Sequence, residues 1–177
     1  YDSRPQVIQT PMMIRNNAEL DYVMANMIPE FEGALAEKGI VALNWGDAGW
    51  MHIFTKTPMT TPAETKNFKI YAYEGDPEAV KVFTTFKFEP VIMTATEVLP
   101  SLQSGLITAF PSTRLGGLAL QWFALAPNML DVPWAPLVGA TVITQQAWES
   151  IPAQHRDACM KAARDIGTSM AATIRKQ

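Results

Sequence analysis

Four turns of this 177-residue chain carry side chains able to hold a small molecule. Trp45, Asp47 and Trp50 fall in one, Tyr71, Tyr73 and Glu74 in a second, Ser112, Thr113 and Arg114 in a third, and Trp134 in the last. Indole and phenol rings combine an apolar face with a polar handle, and hydroxyls and carboxylates give directional hydrogen bonds. The chemistry this suggests is recognition rather than bond-making. Each aromatic taken singly is as well explained by core packing. Their recurrence at successive strand ends favours binding, because ligands of open α/β sheets sit beyond the carboxyl ends of the strands.

Groups that would support catalysis do not come together. His52 and His155 are the only histidines and lack metal-ligand spacing to each other or to carboxylates, so they read as packing or surface residues. Gly116-Gly117 lacks the flanking pattern of a phosphate cradle, and close helix packing explains the pair better. Ser101, Ser104, Ser112, Ser150 and Ser169 occur in no nucleophile elbow. Cys159 has no second cysteine to pair with and reads as a small buried apolar residue on a helix. The expectation is a non-enzyme with no cofactor and no metal site.

A net charge of -3, with 14 scattered Lys and Arg, gives no footprint for nucleic acid or an anionic membrane. There is no apolar run of about 18 residues to span a bilayer, and no basic-then-apolar secretion pattern.

The elements that must position these turns alternate in type. Ala18 to Lys38 has helical spacing and ends at Gly39, with Pro29 predicting a kink or break. Ile40 to Trp45 and Trp50 to Thr55 read as two strands reversing through Gly46-Asp47-Ala48-Gly49. Thr61, Pro62 and Glu64 predict a capped helical turn. Strands are then expected at Phe68 to Tyr73, Phe88 to Met93, Leu106 to Phe110 and Leu137 to Thr144. Helices are expected at Asp76 to Phe86, Thr96 to Gln103, Thr113 to Leu125, Gln146 to Ser150 and Pro152 to Arg175. Such alternation predicts an α/β fold with parallel strand pairs.

Thr60 to Ile70, Glu89 to Val98, Ser101 to Ala109 and Trp148 to Pro152, in this order, resemble stretches of the DctP-type periplasmic solute-binding proteins that serve TRAP transporters. Thr60 to Ile70 is similar to their "T-P-x-D-L-K-G-L-K-I" stretch, and Glu89 to Val98 to "x-P-V-P-M-x-x-S-E-V". Ser101 to Ala109 resembles "A-L-Q-T-G-x-V-D-G", and Trp148 to Pro152 resembles "W-x-x-L-P". The resemblance implies a periplasmic binding protein-like class II fold, two α/β lobes with a ligand cleft between them. It implies residues 1–58 in the first lobe, 59–112 in the second, 113–140 crossing back to the first and 141–177 as helices of the second. Relatives of roughly 300 residues have a two-lobe size, so only part of the cleft is expected within this chain.

By the same resemblance the protein is periplasmic and hands a small organic ligand, usually an acid, to the TRAP membrane permease subunits. A ligand sensor presenting its ligand to a membrane receptor is the alternative. The family's carboxylate-clamping arginine in "L-K-I-R-V" corresponds to Tyr71, a second arginine to Met51, and an asparagine to Ser112. Neither tyrosine nor methionine offers a forked cationic donor, and an unpaired buried carboxylate costs roughly 3–5 kcal/mol, so a less charged or cyclic ligand is expected unless Arg114 or Lys69 moves in. The expected cleft residues are Trp45, Trp50, Met51, Tyr71, Glu74, Ser112, Thr113 and Trp134. Trp50 and Trp134 would stack, Tyr71 and Ser112 would hydrogen-bond, and Glu74 would accept from a hydroxyl or pair with a cation. Replacing Tyr71 by Ala is expected to weaken binding without unfolding the protein.

Overall fold

Asn16 accepts a 2.9 Å hydrogen bond from the Glu19 amide and so caps α1, Asn17–Ala36, in a computed structural model that describes residues 4–176. Pro29 lies inside α1 without dividing it. The proline removes one amide donor, but Leu20 before it and Phe31 after it are seated in the same core cluster, which holds the helix together across the gap.

β1 runs unbroken over Ile40–Thr55, so the expected reversal at Gly46 to Gly49 does not occur. Asp47 is buried rather than presented at a turn, and Gly49 absorbs the local irregularity with φ +94°. The remaining strands are β2 (Lys69–Tyr73), β3 (Glu89–Met93), β4 (Ala109–Thr113) and β5 (Asn128–Thr144). β5 starts nine residues before the expected Leu137, and β4 lies three residues beyond the expected span.

The helices are α2 (Pro77–Thr85), α3 (Val98–Ser104), α4 (Arg114–Ala119), α5 (Gln145–Ser150) and α6 (Ala153–Ile174). The predicted capping box on Thr61 and Glu64 forms and opens a 3-10 turn at Pro62–Asn67. Gly105 closes α3 with φ +79°. The long helix expected to Leu125 is instead two pieces, because Gln121 takes φ +59° and ends the regular run before a short 3-10 turn at Trp122–Ala124.

The strands form one sheet in the order β3-β2-β4-β1-β5. β2 is parallel to β3 and β4, whereas β1 is antiparallel to β4. Two compact units emerge, Tyr1–Trp50 with Trp134–Gln177, and Met51–Pro133. This differs from the sequence-based division, which put 141–177 with 59–112. α6 joins the N-terminal elements because Asn44 Nδ2 donates to the Ala163 carbonyl at 3.0 Å and Gly167 lets α6 approach Asn44 closely.

In the unit of residues 51–133, β2 is buried on both faces. Ile70 and Ala72 join Phe68, Phe83, Phe88 and Ala109 in one cluster, while Tyr71, on the opposite face, joins Phe54, Phe110, Leu102 and Trp122 in the other. The other unit is built on Ile8, Ile14, Leu20, Phe31 and Val138, with Trp45 and Trp50 packed at the edge.

Candidate functional site

Strand register decides which candidates in the unit of residues 51–133 act together. Met51 pairs with Thr113 and His52 with Ser112, so neighbouring pairs face opposite sides of the sheet. Ser112 is buried at 9 % exposure and shares its face with His52, Phe54 and Phe110. Thr113 instead spends its Oγ1 as the cap of α4, accepting from the Gly116 amide at 3.0 Å. Gly116 has a definite reason to be glycine: a Cβ there would lie 2.6 Å from Ser112 Oγ.

Tyr71 is 8 % exposed and stands edge-on to Trp122 at 6.0 Å between ring centroids. Burial pushes its phenol pKa up, with smaller contributions from Tyr73 and Glu74. Tyr71 is therefore a core residue as well as a candidate contact. Its truncation to Ala would open a cavity and cost stability as well as any ligand contact. Glu74 is exposed just after β2, its amide donating to the Met93 carbonyl at 3.3 Å. Arg114, the cation nearest the third turn in sequence, pairs with Asp131 at 3.0 Å with half its side chain in solvent. A ligand carboxylate recruiting Arg114 would compete with Asp131.

His52 is a packed residue, one of the two readings the sequence allowed it. It is 3 % exposed, and its Nδ1 lies 3.1 Å from the Leu130 carbonyl. A carbonyl only accepts, so the proton sits on Nδ1 and Nε2 is left as an acceptor in the neutral ring. His155 is exposed, and so is Cys159, contrary to the expected buried cysteine. α6 buries Gly167 and turns position 159 outward.

In the other unit, Trp50 Nε1 donates to Asn17 Oδ1 at 2.9 Å, whereas the buried Trp45 Nε1 has no hydrogen-bond partner among the described residues. Trp45 packs on Phe31 at 5.7 Å between centroids. Trp134 is half-buried on β5 and its carbonyl accepts from the Met12 amide at 2.7 Å.

A hollow of about 350 Å³ borders Trp45, Asp47, Asp21, Gly167, Thr168 and Arg175. Arg175 donates through Nε and Nη2 to Asp47 Oδ2 at 3.0 and 2.7 Å, and through Nη1 and Nη2 to Asp21 at 3.0 and 2.7 Å. Asp21 first, then Asp47, hold the guanidinium pKa above its usual value. No sequence signal marks this cluster, since Asp47 and Arg175 are 128 positions apart.

The chain matches the bacterial extracellular solute-binding protein family 7, DctP, over residues 1–177. It belongs to this family. A solute-binding protein of Sulfitobacter sp. (strain NAS-14.1) is 22% identical over 163 residues, covering 91% of this chain and 49% of that protein. One from Chromohalobacter salexigens is 24% identical over 167 residues, 90% of this chain and 48% of the relative. The chain thus spans about half the length of the curated relatives it matches.

The TRAP periplasmic solute-binding protein of Haemophilus influenzae with bound L-gulonate superposes at a TM-score of 0.89 and 16% identity, covering 97% of this chain and 56% of that one. That of Chromohalobacter salexigens with bound D-glucuronate gives 0.87 and 21%, covering 97% and 57%. The α/β fold is therefore that of the TRAP periplasmic binding proteins, of class II type, as the sequence motifs implied. The family is one of binding proteins. Among the described residues no helix is long and apolar enough to cross a membrane.

Proposed function

We propose that this chain belongs to a periplasmic, non-catalytic receptor that captures a small organic ligand and delivers it to the membrane subunits of a TRAP-type transporter. The family match over residues 1–177 is the observation that carries this reading. The bound L-gulonate and D-glucuronate of fold relatives support a small polar organic ligand.

The residues proposed to contact it in the unit of residues 51–133 are Met51, Tyr71, Glu74, Ser112 and Thr113. Those proposed in the other unit are Trp45, Trp50 and Trp134. Hydroxyls at Tyr71 and Ser112 favour hydrogen-bonding a hydroxylated or cyclic ligand over clamping a lone carboxylate, because Tyr71 and Met51 stand where the family's motifs place arginines. Arg114 is already engaged by Asp131.

Native mass spectrometry of the purified full-length protein, followed by calorimetric titration with L-gulonate, D-glucuronate and neutral cyclic polyols, tests this. One ligand per protein, recovered chemically unchanged, is the expected result. Conversion of the bound compound, or no binding across the panel and no co-purified molecule, would overturn the reading.

A further inference from the structure

We infer that Arg175 is the positioning residue for the β1 stretch that carries Trp45 and Trp50. The inference rests on the proposed ligand-binding role of those two tryptophans. Within β1, Gly46 and the positive-φ Gly49 bracket Asp47 and Ala48. Glycine supplies backbone freedom there, so something else must fix the conformation.

Asp47 supplies the anchor. Its side chain is only 4 % exposed, and the guanidinium of Arg175 meets it with two donors while two donors also reach Asp21 on α1. One planar fork therefore ties β1, α1 and the C-terminal cap of α6 together. Without it the Asp47 carboxylate would be left buried with its charge uncompensated, and it would relax by drawing the 46–49 backbone toward water.

The two tryptophans differ in how far they depend on that anchor. Trp50 has its own tether in the 2.9 Å bond to Asn17. Trp45 has no bond at Nε1 among the described residues, so its orientation is set by its backbone and by packing on Phe31. Trp45 and Arg175 also border the same hollow. Displacement of Asp47 is therefore transmitted first to Trp45.

The test uses the full-length protein labelled with 5-fluorotryptophan, with resonances assigned by Trp45→Phe and Trp122→Phe. Arg175→Gln should move or broaden the Trp45 fluorine signal and leave that of Trp122 in place, with D-glucuronate affinity about ten-fold weaker. Arg175→Lys should resemble Arg175→Gln, because an ammonium keeps the charge without bridging two carboxylates in a plane. If Arg175→Gln does not fold, Asp21→Asn loosens one side of the clamp at a carboxylate that is 59% exposed, and should give a smaller shift of the Trp45 signal. A Trp45 signal unmoved in Arg175→Gln or, failing that variant, in Asp21→Asn, or wild-type behaviour of Arg175→Lys, would overturn the inference. Where wild type does not bind D-glucuronate, the affinity is read with the panel compound it does bind; binding of none of them counts against the proposed function, while the fluorine signals still decide the role of Arg175.

Discussion

Trp50 and Asn17 are joined by a 2.9 Å hydrogen bond from the indole Nε1 to the amide Oδ1, across 33 positions of sequence. The bond ties β1 to the first residue of α1, so a proposed ligand-contacting ring is tethered to the first α-helix of the unit. Truncating either partner should cost about 1 kcal/mol in urea unfolding. A double-mutant cycle of Trp50→Phe and Asn17→Ala should return a coupling of about 0.5–1.5 kcal/mol. Additive single effects would show that the bond contributes nothing.

Phe110 is fully buried, stacks on Phe54 at 4.9 Å and meets Trp122 edge-on at 5.2 Å. Phe110→Ala removes the common partner of two aromatic contacts and leaves a cavity in the cluster that also contains Tyr71. Destabilisation of about 3–5 kcal/mol is expected by chemical denaturation. A loss below about 1 kcal/mol would mean that the cluster collapses freely around the gap.

Tyr71→Phe separates the hydroxyl from the ring. The ring packs against Trp122, so the Phe variant should keep a near-native melting temperature. If the hydroxyl binds ligand, affinity should fall by roughly three- to ten-fold, the equivalent of one net hydrogen bond. Calorimetric titration measures it, and unchanged affinity would assign Tyr71 to packing alone.

Glu64 and Glu97 should both contribute to the acid limb of stability. The Thr60 amide, then that of Thr61, holds the Glu64 pKa below its ordinary value, and Thr94, through its hydroxyl and then its amide, does the same for Glu97. A depressed folded-state pKa gives stability that is complete above the unfolded-state pKa and lost as pH falls through the folded-state value. Melting temperature should therefore decline below the normal carboxylate range, and more gently in Glu64→Gln or Glu97→Gln. An acid limb identical to wild type in both variants would count against the capping role.

Much of the local structure was legible because it depends on near neighbours. The capping box at Thr61 and Glu64 involves residues three positions apart. β2, with its apolar run Ile70-Tyr71-Ala72, could be read the same way. The four family motifs pointed to the fold that the structural relatives share.

The misreadings came where distant partners overruled local signals. Gly46-Asp47-Ala48-Gly49 has the composition of a turn, yet Arg175 reaches across the unit to anchor Asp47 and the strand continues. Of the kink or break expected at Pro29, the break does not occur, because Leu20 and Phe31 share one core. Gln121 carries no common breaker signal, and its left-handed backbone ended α4 early. Sequence by itself determined the α/β alternation, the capping box at Thr61 and Glu64 and the family, because periodicity, capping and motif order are written in adjacent residues. Tertiary structure alone decided that Ser112 shares a sheet face with His52, that Tyr71 is core, and that Arg175 answers Asp47. Cross-strand register and buried charge pairing join residues many positions apart, and no local pattern specifies those partners.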